Sequence, residues 1–250
     1  MRQLTAAIAV AAVSMLVASC GDSDDKGSGS STSAATTTAA AAKPPIAQAA
    51  LGNYLLTPAE IDTLFGIAGT RSKEKIDKLQ DDSPKPQPNW KFPEECVYAV
   101  GPVEAPVYNG SGFTAVTGDD DVTDLKNDQD IEVAQALVLF PSAKEANDFF
   151  TNSTQRWPNC SNREVTSPAG PDSGELTWKF GAVANDKGIL STTVSSSAKG
   201  ANGSPDMTIT VGRALTVRNN VVVDVLLMRK EDQAKFAAKF AGQVGDKLDK

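Results

Sequence analysis

Residues 207–228 read MTITVGRALTVRNNVVVDVLLM. β-Branched and apolar residues dominate both halves, and Asn219-Asn220, residues that tolerate a positive φ, stand between them, so the stretch reads as an antiparallel hairpin closed by a two-residue turn. That turn fixes the register: Val217 opposes Val222, Leu215 opposes Asp224 and Val211 opposes Met228. Asp224 is the one charge between Val221 and Leu227. Period-2 alternation gives it a solvent face, and pointing outward or bonding a neighbouring strand end is preferred here to a ligand contact.

Working outward, Phe236, Phe240, Val244 and Leu248 recur every four residues, the apolar stripe of a terminal helix packed on the sheet. Upstream, Leu176, Trp178 and Phe180 share one side of a strand and residues 189–194 form another. Residues 111–117 and 131–140 also carry strand composition, and the run from Ala134 to Phe140 is apolar enough to be central. Pro141 ends it. Ser142-Ala143-Lys144-Glu145 then has the spacing of a capping box, opening a helix that carries Ala143, Ala146, Phe149, Phe150 and Trp157 near one face and stops at Pro158. A second box, Thr57-Pro58-Ala59-Glu60, starts a short helix that ends near Gly66. Four prolines between Ser83 and Pro93 make an extended loop that delivers Trp90 and then Cys96 to the core, and residues 97–103 are expected to be a strand. The sum is an α+β domain: a twisted, mainly antiparallel sheet flanked by helices.

The N-terminus has another character. Arg2, the apolar run from Leu4 to Ala18 and the small residues before Cys20 follow the order of a secretory signal. An apolar helix of that length rises about 22 Å, short of the roughly 30 Å hydrocarbon core of a bilayer. Residues 1–19 are therefore expected to be cleaved. A cysteine placed directly after small residues resembles the lipobox of bacterial lipoproteins, so Cys20 is expected to carry lipid, palmitate included, and to tether the chain to the outer face of the cell membrane. Residues 20–45 form the lipidated end and a Ser/Thr/Ala/Gly linker with too little apolar surface to fold, open to O-glycosylation. Residues 46–250 form one domain, with no second linker or repeat.

The formal net charge is −7, becoming −8 once Arg2 leaves with the signal, which argues against a nucleic-acid or anionic-lipid partner. With Cys20 acylated, Cys96 and Cys160 remain as an even pair in an oxidising compartment and are expected to be bonded. The chain has no histidine, which removes the base of Ser-His-Asp and Cys-His catalysis and makes a zinc site unexpected. No metal, cofactor or catalytic residue is expected. The acidic run Asp119, Asp120, Asp121, Asp124, Asp128 and Asp130 lacks the spacing and final glutamate of a calcium loop and reads as a solvated acidic loop. Trp90, Trp157 and Trp178 are expected in the core rather than in a pocket.

Several phrases, in order and spaced over nearly the whole chain from Leu55, resemble one family. They are LLTPAEI (55–61), PVYNGSGF (106–113), VLFPSA (138–143), Phe149-Phe150, WPNC (157–160) and RALTVRNNVV (213–222). Together they resemble the PknH-like extracellular domain, the sensor domain of a mycobacterial receptor kinase and of related lipoproteins. The resemblance implies a twisted antiparallel sheet with flanking helices, a cleft proposed to receive an extracellular ligand, and no enzymatic activity. It also implies that Cys96 and Cys160 match one of the family's two disulfides. The other falls at Val211 and Met228, which the hairpin register already sets face to face, so an apolar pair replaces a covalent one. The loops Tyr108–Gly112 and Asn219-Asn220 carry motif residues, although turn geometry explains them equally well, and the ligand-binding residues stay unassigned.

The function expected is a non-enzymatic, membrane-tethered sensor or ligand-binding module that captures a small molecule or envelope component. The alternative is an accessory subunit docking on an envelope protein or receptor kinase, and a carboxylate hydrolase would require two acidic groups converging in a cleft.

Overall fold

The computed structural model describes residues 43–250 apart from 82, 125–130, 170–173 and 200–205. Residues 1–19, Cys20 and most of the linker therefore lie outside the described residues, as do Asp128 and Asp130. The strands are β1 (Arg71–Ile76), β2 (Ala115–Val122), β3 (Glu132–Leu139), β4 (Glu164–Ser167), β5 (Leu176–Phe180), β6 (Ala184–Asp186), β7 (Ile189–Ala198), β8 (Met207–Arg218) and β9 (Val221–Met228). The α-helices are α1 (Pro58–Phe65), α2 (Glu94–Val100), α3 (Ala105–Tyr108), α4 (Ala143–Arg156) and α5 (Gln233–Leu248), with 3-10 turns at Gln48–Tyr54 and Trp157–Cys160.

The strands form one antiparallel sheet in the order β1-β2-β3-β9-β8-β7-β5-β4, with β6 on β7. The hairpin β8–β9 takes the predicted register, with Val217 opposite Val222 and Leu215 opposite Asp224, and Asn219 takes the positive φ of the turn. Alternation on the central strands then sorts side chains between two layers. Val133, Leu137, Val221, Val223, Val225 and Leu227 pack with α1, α5 and the first 3-10 turn. Ala136, Val138, Val222, Leu190 and Leu215 pack beneath α3, α4 and Trp157. A third cluster joins Phe92, Trp178, Phe180 and Val194 to the disulfide between Cys96 and Cys160, which ties α2 to the 3-10 turn after α4. This is the expected α+β architecture, in a single domain.

Local signals set the helix ends. Thr57 and Glu60 form a reciprocal capping box, and Gly66 closes α1 in the left-handed conformation. Ser142 caps α4 by accepting from the Glu145 N–H. Three expectations need correction. Residues 97–103 are not a strand: α2 occupies Glu94–Val100, begun after Pro93 by Glu94 and Glu95, acidic residues that favour a helix N-terminus, and held by Cys96 in the core. The strand expected at 111–117 begins only at Ala115, because Gly110 and Gly112 take positive φ angles. The third concerns the acidic run. Asp119, Asp120 and Asp121 lie within β2, paired to β1 on one side and β3 on the other, and Asp119 and Asp121 are buried.

Candidate functional site

The layer holding α2, α3 and α4 covers only part of its sheet face. Beyond the row of Asp224 the strands continue without a helix over them, leaving a groove of about 440 Å3. Ile76, Ala134, Val211, Leu226 and Met228 make an apolar floor, and residues 100–104 close one end. Glu74, Asp120 and Glu132 stand along the β1–β3 side. At the β8 side, Ile209 lines the groove and is 41 % exposed, while Met207, the next residue outward on this face, is 60 % exposed. These two are the exposed large hydrophobics among the described residues.

The end wall is pinned from below by a buried ion pair. Arg213 and Asp224, each 1 % exposed, are diagonal neighbours on adjacent strands: Arg213 faces Leu226, two residues from Asp224. Arg213 Nη2 donates to Asp224 Oδ1 at 2.8 Å and to the Gly101 carbonyl at 2.6 Å. The second carboxylate oxygen of Asp224 accepts from the Val103 N–H at 2.9 Å and from the Tyr108 hydroxyl at 2.8 Å. Arg213 Nη1 also donates to the Val225 carbonyl, so the two buried charges exchange hydration for one another and for four further hydrogen bonds, the condition under which a buried pair is tolerated. Burial, reinforced by the Asp224 charge, holds the Tyr108 hydroxyl well above its ordinary pKa. Val103 adopts φ +46°, a costly conformation for a β-branched residue, at the point where its N–H reaches Asp224. The wall is therefore held in place rather than merely resting there.

Of the two roles expected for Asp224, facing outward is corrected, whereas a bond to the neighbouring strand is what Arg213 of β8 makes. Its face was assigned properly by alternation, but α3 and the loop after α2 cover that face and supply its partners. Arg213 was missed as its counter-ion; the diagonal implied by the hairpin register was the signal that could have found it.

A different carboxylate is buried on the opposite face. Gln135 Nε2 donates to Asp121 Oδ2 and to the Leu56 carbonyl, both at 2.8 Å, and Gln135 Oε1 accepts from the Leu56 N–H. Asp121 Oδ1 is buried without a hydrogen-bond partner. Burial, opposed by the Gln135 bond and helped by the Asp119 charge, raises the Asp121 pKa to about 6.

The motif loops lie elsewhere. Asn220 is buried at the far end of the hairpin, where its side chain bonds the backbone N–H and carbonyl of Ile46 and the Phe140 carbonyl, while Asn219 reaches the Pro44 carbonyl. Tyr108 is in the core, stacked on Phe149 at 4.6 Å between ring centroids. Trp157 and Trp178 are buried, and Trp90 packs on Trp178 and donates to the Thr166 carbonyl. Turn and core roles account for these residues. Among the described residues no three carboxylate or thiol side chains converge to hold a metal ion, and no helix is long and apolar enough to cross a membrane.

Comparison with known proteins agrees with this architecture. The family model of the PknH-like extracellular domain matches residues 46–247. The serine/threonine-protein kinase PknH of Mycobacterium tuberculosis is 30 % identical over 210 residues, covering 82 % of this chain and 30 % of the kinase. The PknH of Mycobacterium bovis is 29 % identical over 208 residues, covering 82 % of this chain and 32 % of the kinase. The chain thus spans under a third of the length of these curated relatives. The crystal structure of the extracellular domain of PknH from Mycobacterium tuberculosis superposes with a TM-score of 0.64 at 27 % identity, covering 82 % of this chain and 98 % of that one. The likeness is to the extracellular domain of the kinase and not to its catalytic domain. The chain belongs to the PknH-like extracellular domain family.

Proposed function

We propose that the chain is a non-enzymatic sensor or ligand-capture module, held on the outer face of the cell membrane by lipid on Cys20 after removal of residues 1–19, with residues 20–45 as its tether. The observation that carries this reading is the apolar-floored groove, whose size is typical of small-molecule sites. Its end wall is fixed by a buried network, as a preformed site needs. Asp120 and Glu132 converge at the rim, but Lys73 spans both, 3.2 Å from Asp120 and bonded to Glu132, which is the arrangement of an ion pair rather than of an acid and a base. Native mass spectrometry of the protein purified from its own host tests the reading. A bound small molecule is expected; a bare polypeptide mass, with no thermal shift across envelope metabolites, would overturn it. The anchor is tested separately: labelled palmitate should enter the chain and be lost in Cys20→Ser.

A second reading, docking on an envelope protein or receptor kinase, is favoured by one observation, the exposure of Met207 and Ile209 beside the groove. Cross-linking in whole cells from a photoreactive residue at 207 would capture one protein of defined mass if it holds, and nothing if the groove serves a small molecule alone.

A further inference from the structure

We propose that the groove selects a cationic amphiphile, a small molecule with an apolar body and an amine or quaternary ammonium head. The inference rests on reading the groove as the ligand site and adds the chemistry of what enters it.

Strand register arranges the groove as a gradient. One cross-strand row runs Glu74, Asp120, Ala134, Leu226, from β1 through β2 and β3 to β9. In the next row Glu132 faces Met228 directly, so a carboxylate and a thioether sit side by side. With strands about 4.8 Å apart, the groove spans roughly 14 Å across the sheet from β2 to β8. Glu74, Asp120 and Glu132 stand at one end of that span and Ala134, Leu226, Met228 and Val211 form the floor beyond them. Gln80 and Glu104 also line the groove, and the row itself ends at Arg213, whose guanidinium is engaged by Asp224. A ligand lying across the strands would meet carboxylates with its head and the floor with its body.

The rim already holds a cation. The register shift between Ser72 and Glu74 leaves Lys73 in a bulge, and its ammonium reaches over to Asp120 and Glu132. Lys73 thus marks where a positive head would sit and acts as its internal stand-in. Its side chain is 50 % exposed, so displacement into solvent is cheap. Asp120 and Glu132 share this one ammonium and Glu74 lines the groove beside them, leaving the rim anionic even when the pair is formed. Burial raises the pKa of Asp120, a penalty that a further cation in the groove would relieve. An anionic head would meet like charges here, and a neutral one would desolvate carboxylates without neutralising them.

Three probes with one tail and different heads test this: octyltrimethylammonium, octanol and octanoate, titrated into the purified chain and followed by the Met228 methyl resonance. The ammonium is expected to bind at least tenfold more tightly than octanol, with octanoate weakest. Lys73→Met should tighten the ammonium about threefold or more by removing the internal competitor, and Glu132→Gln should weaken it by a similar factor, both with unchanged circular dichroism. Equal or tighter binding of octanol or octanoate, with the Met228 methyl shifting, would overturn the proposed class while leaving the groove as a ligand site. Weakening by Lys73→Met would also overturn the class. If no probe moves Met228, both the class and the groove reading fail.

Discussion

On the α5 face of the sheet, helix and strands meet almost backbone to backbone, whereas the opposite face is covered by helices over only part of its extent. At Gly212 of β8 an added Cβ would fall 2.0 Å from the Gln233 carbonyl oxygen at the start of α5, so the strand has no room to spare there, and the open space on that face is a recess between α1 and α5 lined by Leu56, Leu64, Lys239 and Gln243 rather than by the sheet. The same strands turned over show Ile209, Val211 and Met228 lining an open groove. The faces also treat a buried carboxylate differently. Asp224, beneath the groove wall, has a guanidinium, a hydroxyl and an N–H. Asp121, on the α5 face, has one amide donor and a bare oxygen. Charged hydrogen bonding is concentrated at the wall beside the groove, whereas close packing holds the strands against the start of α5.

The largest effect is expected from Arg213→Met, which leaves Asp224 buried without its cation. It is expected to cost about 3–5 kcal/mol by urea denaturation. The double variant Arg213→Met/Asp224→Leu should recover only part of the loss, because the Val103 N–H and Tyr108 hydroxyl then lack an acceptor. Full recovery would mean that the network does not hold the wall. Next comes the disulfide, which anchors α2 and the wall that follows it. Its loss in Cys96→Ala/Cys160→Ala is expected to cost about 2–4 kcal/mol, read the same way.

A smaller effect singles out Asp121 through pH. Asp121 keeps its proton in the folded state up to about pH 6, while the unfolded chain releases it near pH ~4, so the folded state binds the extra proton between those values. Stability should therefore fall as pH rises through that window, by up to about 3 kcal/mol, and level off above it. Asp121→Asn should flatten this dependence and raise stability at neutral pH, as followed by thermal unfolding from pH 4 to 8. An unchanged slope would place the titration elsewhere. The smallest effect is expected for Lys73→Met: an exposed pair contributes about 0–1 kcal/mol, so stability should barely move although the rim loses its resident cation.

The frame was legible where one strong local signal agreed with its surroundings. Asn219-Asn220 fixed the hairpin register, and the four-residue recurrence ending at Leu248 gave α5. What escaped depended on partners distant in the chain. Residues 71–76 read RSKEKI, without alternation, and become β1 only by pairing with β2, leaving Ile76 as their one buried side chain. Aspartate disfavours strands, so 119–121 read as a loop; Lys75 and Ser72 on β1 and Gln135 on β3 supply the partners that make burial there tolerable. The stretch 97–103 looked like a strand by composition until the disulfide and the acidic first turn made most of it helix. The groove itself could not be read, since it is defined by what the helices leave uncovered. Val211 and Met228, singled out as an apolar pair, turn out to be part of its floor.

The most direct measurement is a methyl NMR spectrum of the protein recorded before and after addition of a small-molecule extract of its host's cell envelope. Shifts are expected at Met228, Ile209, Val211 and Leu226, with Ile61 and Leu248 on the α5 face unmoved. Shifts confined to the α5 face, or none in the groove, would contradict the reading of the groove as the ligand site.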